Sequence, residues 1–130
     1  MDIKELAVKY HNSGFNCAQS VLCACGEYTK LDEKTALAVS AGFGGGLRSG
    51  EVCGAICGAV MALGLAHPFT DSTDTAAKDK IAVLAKGCVA AGKEKFGCIS
   101  CSDLKGDKSN CLYYISEMAA IAEEMITDNK

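Results

Sequence analysis

The chain has 130 residues, 49% of them hydrophobic, with nine cysteines, one proline and no tryptophan. Its formal net charge of -3 mixes lysines with carboxylates and leaves no basic stripe to neutralise phosphates, which excludes nucleic acid as the main partner. The longest uncharged apolar stretch, 52–66, is about 15 residues against the roughly 20 that a membrane span needs.

This length fits one domain, 1–130, able to bury an apolar core without disulfides or a structural metal. The first residues, Met1-Asp2-Ile3-Lys4-Glu5-Leu6, mix charges where a secretory leader has a basic start followed by an apolar run, so a cytoplasmic protein is expected. Cysteines at this density in the cytoplasm stay reduced and signal thiol chemistry or metal binding rather than a disulfide framework.

The periodicity predicts an all-α, single-domain bundle of about five to six helices around a Gly/Ala-rich central helix. In the first, Ile3 to Asn12, residues Ile3, Leu6, Ala7 and Tyr10 share a face, and Ser13-Gly14 stops it. The second starts with Asn16 as N-cap, turns Ala18, Val21, Leu22 and Cys25 inward, and ends near Gly26. The third is capped by Asp32, with Leu31 stapled onto Ala36 and the same face continued by Val39, Ser40 and Phe43.

A glycine-rich segment, Gly42 to Gly50, follows and calls for positive φ or close backbone approach. It lacks the Gly-Lys-Ser/Thr ending of a P-loop and no strand precedes it, so it is not a nucleotide fingerprint. With Arg48 as charge partner its amides offer an anion site; tight turning that lets backbone approach Cys53 is the simpler reading.

The fourth helix, Val52 to Ala66, ends at His67-Pro68, and Gly50, Gly54, Gly58 and Ala62 form a flat ridge for another helix. A fifth runs from about Thr73 to Gly92 with Ile81, Leu84, Ala85 and Cys88 inward. Residues 97 to 110 form a cysteine-bearing connection, and Asn110 caps a last helix carrying Leu112, Ile115, Ala119, Ala122 and Ile126.

Four cysteines fall near helix starts, where the dipole and free N–H groups favour the thiolate, the form that attacks and that binds metal. Cys17 and Cys111 each follow an Asn cap, Cys53 falls in the first turn of the fourth helix, and Cys101 precedes Ser102-Asp103. Cys23, Cys25 and Cys88 sit mid-helix among Ala, Val and Leu and read as small core hydrophobes. Cys57, one turn after Cys53, is placed either to meet it or simply to pack. Cys98 and Cys101 form one C-x-x-C, within disulfide or co-ligand reach.

His11 and His67 read as surface or capping residues, and Glu51 as a complement to the helix start. No Ser-His-Asp order, paired carboxylates or His-Glu-x-x-His run points to hydrolysis.

The run Gly50-Glu51-Val52-Cys53-Gly54-Ala55-Ile56-Cys57-Gly58 contains the C-G-A-x-x-G core of the bacterial and archaeal C_GCAxxG_C_C family, described as redox-active. Phe15-Asn16-Cys17-Ala18-Gln19-Ser20-Val21 resembles that family's first cysteine motif, and Cys101-Ser102-Asp103-Leu104-Lys105-Gly106 and Cys111-Leu112-Tyr113-Tyr114 resemble its last two. The resemblance spans nearly the whole chain and implies that Cys17, Cys53, Cys101 and Cys111 are the family's four cysteines, with Cys57 and Cys98 outside the pattern.

Two chemistries fit that set. One is a thiol redox protein, a thiol oxidoreductase if catalytic, that cycles between dithiol and disulfide or passes electrons to a redox partner protein. The other is a module in which Cys17, Cys53, Cys101 and Cys111, with Cys57 or Cys98 as substitutes, hold zinc or an iron–sulfur cluster. A third reading makes the cysteines packing residues of a homo-oligomeric adaptor joined through the small-residue helix.

Overall fold

The computed structural model describes residues 1–104 and 111–129, and those residues are all-helical, without a named strand. They form eight α-helices: α1 Ile3–Asn12, α2 Cys17–Ala24, α3 Gly26–Thr29, α4 Glu33–Ser40, α5 Gly54–Ala66, α6 Thr75–Phe96, α7 Cys101–Leu104 and α8 Cys111–Asp128. The count exceeds the five to six expected, and two of the eight, α3 and α7, are single turns of four residues in stretches that read as a break and a connection.

Local chemistry sets the starts. The Asn16 side chain accepts from the Gln19 N–H while the Gln19 side chain accepts from the Asn16 N–H, each at 3.0 Å, a reciprocal capping box on α2. Asp32 caps α4 through the Thr35 N–H and Asp74 caps α6 through the Ala77 N–H.

Two boundaries differ from expectation. α5 begins at Gly54, so Cys53 is its N-cap rather than part of its first turn. α6 passes through Gly92 and stops at Phe96, followed by left-handed Gly97 at φ 85°. Gly92 is a packing position: a Cβ there would lie 3.0 Å from Ile56 Cδ1.

α5 packs against α2, α8 and α6, and α1 against α2 and α8. Leu22, Ile56, Leu63, Ile115, Met118 and Ile126 are the largest fully buried side chains, and each apolar burial of this size stabilises the fold by roughly 1.5–3 kcal/mol. Alanines fill the remaining space and let the helices approach closely. The α2–α5 approach is the tightest, since a Cβ on Gly58 would stand 2.6 Å from the Ala18 carbonyl oxygen. Gly50, expected on the same ridge, lies outside the helix in a turn with φ 74°.

The outward residues also correct two face assignments: Val39 is 53% and Leu112 37% exposed. Among the described residues, no helix is long and apolar enough to cross a membrane.

Candidate functional site

Each of the four helix-start cysteines lies where a helix begins: Cys17 opens α2, Cys53 caps α5, Cys101 opens α7 and Cys111 opens α8. All four line one cavity of about 170 Å³ together with His11, Asn16, Gly45, Arg48, Leu104 and Tyr114. Asn110, expected to cap α8, lies outside the described residues.

A short backbone clip brings Cys53 and Cys101 together. Val52 pairs with Ser100 as an isolated antiparallel bridge, the Cys53 N–H donates to the Ile99 carbonyl at 2.7 Å, and the Cys101 N–H donates to the Glu51 carbonyl. The Ser100 and Ser102 hydroxyls both donate to the Gly50 carbonyl, at 3.0 and 2.9 Å, strapping the α7 segment onto the glycine turn.

Glycines supply the remaining proximity. A Cβ on Gly54 would collide with Cys17 Sγ, and one on Gly46 would lie 2.7 Å from Cys101 Cβ. A Cβ on Gly44 would collide with the Asn16 side chain. The glycine turn thus gives way to Asn16 and Cys101 rather than to Cys53, the neighbour expected from sequence. Within it Gly45, Gly46, Leu47 and Arg48 have φ between 58° and 65°, a single left-handed turn. At Leu47 and Arg48 the Cβ makes this conformation unfavourable by about 1–2 kcal/mol each.

Electrostatics separate the thiols. Cys53 is buried, which pushes its thiol up to about 11; the Ala55 and Ile56 amides at the α5 start oppose this, while negative charge on Cys17 or Cys101 adds to it. Burial, then Cys17, also raises Cys57. Cys17 and Cys111 are half-buried, whereas Cys101 is buried like Cys53. Burial pushes Cys23 to about 11 and Cys25 and Cys88 to about 12, as for thiols that serve as core hydrophobes.

Cys57 and Cys98 do not line the cavity; the Cys57 thiol instead donates weakly to the Val52 carbonyl at 3.8 Å. Among the described residues, no group of three or more His, Cys, Asp or Glu side chains converges closely enough to hold a metal ion. The four cysteines surround a space instead of meeting at a point, and a zinc or cluster site would draw on those same four.

Two lining residues were not legible as site residues. His11 read as a surface residue, but the Phe15 carbonyl, which can only accept, lies 3.0 Å from its Nδ1, so in the neutral ring Nδ1 carries the proton and Nε2 is the basic nitrogen. Tyr114 is set by edge contact with Phe96, centroids 4.7 Å apart, and its hydroxyl donates to the Leu104 carbonyl at 3.4 Å. The fixed spacing of Tyr114 from Cys111 on α8 was the one available signal.

Among the described residues, an all-helical fold with four helix-start cysteines around one cavity defines a cysteine-rich helical protein. Residues 15–125 match the family model described as "Putative redox-active protein (C_GCAxxG_C_C)", and the chain belongs to that family. No curated protein and no solved structure matches it.

Proposed function

We propose that this protein is a cytoplasmic thiol redox protein, one domain organised around the Gly/Ala-rich α5, in which Cys17 and Cys53 form the working dithiol and Cys101 and Cys111 complete the cluster. The observation that carries this reading is the convergence of all four cysteines on one cavity. Contact between Gly54 and Cys17 Sγ supports the choice of pair, because Gly54 directly follows Cys53.

The burial pattern orders the chemistry. Cys17 reaches solvent and attacks; Cys53, buried and held protonated at neutral pH, resolves. The two-electron product is a Cys17–Cys53 disulfide, which a redox partner protein or a small thiol returns to the dithiol.

The test is metal and iron content of protein purified without oxygen, with thiols counted before and after reduction and peptides mapped. The expected result is no stoichiometric metal and a Cys17–Cys53 disulfide that appears on oxidation. About one zinc or cluster per chain, with about four protected thiols, would establish the metal-binding alternative instead.

A further inference from the structure

We infer that the oxidant this cavity takes is a small disulfide bearing negative charge, held by Arg48 while Cys17 attacks it and Cys53 resolves the adduct. The inference rests on the thiol redox reading above and adds to it the class of substrate.

Charge comes first. Among the described residues lining the cavity there is no Asp or Glu, and Arg48 is the one side chain there that is always cationic. Among those described residues an anionic group entering the cavity finds the positive charge of Arg48 and no carboxylate, whereas a cationic one finds no partner of opposite charge.

The backbone is a second observation. Arg48 has φ 58° and Leu47 φ 62°, within a turn whose neighbours Gly45, Gly46 and Gly50 also have positive φ. Glycine would occupy position 48 without strain, so the turn holds an exposed arginine in a conformation its Cβ disfavours, at a position that borders the cavity.

Size is the third. A cavity of about 170 Å³ is smaller than the 300–1,000 Å³ of drug-sized ligand pockets, which favours a small molecule or the tip of a larger one.

The steps balance. The Cys17 thiolate attacks one sulfur of R–S–S–R′; the Cys17–S–R bond forms as the substrate S–S bond breaks, and R′–S⁻ leaves and takes up the proton that Cys17 released. Cys53 then attacks Cys17 Sγ; the Cys17–Cys53 bond forms, and R–S⁻ leaves with the proton from Cys53. Two protein thiols are oxidised by two electrons and one disulfide is reduced to two thiols.

The experiment measures the rate of Cys17–Cys53 disulfide formation in the reduced full-length chain with three small disulfides: dithiodipropionate (anionic), hydroxyethyl disulfide (neutral) and cystamine (cationic). Each rate is divided by that of the same reagent with a free cysteine peptide. The expected ranking is anionic about tenfold above neutral, cationic below both, with the spread shrinking as salt is added. Arg48→Gly, which suits the left-handed backbone and leaves the fold unchallenged, brings the anionic rate down to the neutral one; Arg48→Gln does the same with the strain retained. Equal normalised rates in the unaltered protein, or a ranking that survives Arg48→Gly, overturn the inference while leaving the dithiol intact. Failure of all three reagents to yield the Cys17–Cys53 disulfide overturns the redox reading itself, and the substrate class with it.

Discussion

Gly58 and Gly64 lie on the same helix, and replacing each with alanine separates packing from propensity. In a helix interior alanine is favoured over glycine by about 0.5–1 kcal/mol, because glycine loses more backbone freedom on folding. At Gly64 a Cβ meets nothing within 4 Å, so Gly64→Ala gains that amount in full. At Gly58 the Cβ would stand 2.6 Å from the Ala18 carbonyl oxygen and 3.1 Å from Val21 Cβ. A backbone oxygen has no rotamer to escape into, so α2 must move, and overpacking of this kind costs about 1–3 kcal/mol. Set against the same propensity gain, Gly58→Ala is expected to lose about 1–2 kcal/mol net. Urea unfolding with unchanged slope should show a higher midpoint for Gly64→Ala and a lower one for Gly58→Ala, with melting temperatures moving about 3–5 °C per kcal/mol. Since α2 carries Cys17, Gly58→Ala should also slow Cys17–Cys53 disulfide formation, which Gly64→Ala leaves alone. Equal stabilisation by both alanines would refute the argument that α2 and α5 touch through backbone.

Other perturbations test other parts of the structure. Arg48→Gly should raise stability by up to about 1 kcal/mol, the relief of left-handed strain exceeding the entropy that glycine adds to the unfolded chain; a lower urea midpoint would contradict the strain. Asn16→Ala removes the side-chain half of the α2 capping box, the acceptor for the Gln19 N–H, together with the 3.0 Å bond to the Ala41 carbonyl, and should cost about 1–2 kcal/mol by urea unfolding. Cys23, Cys25, Cys53 and Cys88 are pushed to about 11 or 12 when folded, above the cysteine value of 9.0. A raised folded value means the unfolded chain loses these protons first, so their contribution is intact below pH 9, fades as pH rises, and is gone above the folded values. Melting temperature under reducing conditions should therefore fall steadily from pH 9 upward, and a flat profile to pH 11 would sink this reading.

Much of the helical pattern was legible because it is local. Asn16, Asp32 and the α1 face follow from residues within a turn of one another, and the placing of cysteines at helix starts needed no tertiary knowledge. What escaped depends on distant contacts. Gly92 reads as a stop until Ile56 and Met118 are packed against it. His11 reads as a surface residue until Phe15 and the cysteine cavity fold around it, and it lies outside the residues that the family model matches. Glycine announces positive φ, but nothing in Leu47 or Arg48 announces that the left-handed turn continues through them. The start of α5 shifted because Val52 and Cys53 are drawn into the clip with Ile99 and Ser100, two segments far apart in the chain.

The Gly54 and Gly58 contacts with α2 have a bearing on how this protein tolerates change. Because main chain rather than large interlocking side chains sets the separation of the two helices, the gap between Cys17 and Cys53 does not ride on the volume of the surrounding core. Substitutions at Leu63 or Ile126 can alter how long the molecule survives heating and leave the spacing of its sulfurs where it was. Stability and reactivity are in that sense separately adjustable: the core is free to drift over generations, while two hydrogen atoms on two glycines keep the gauge.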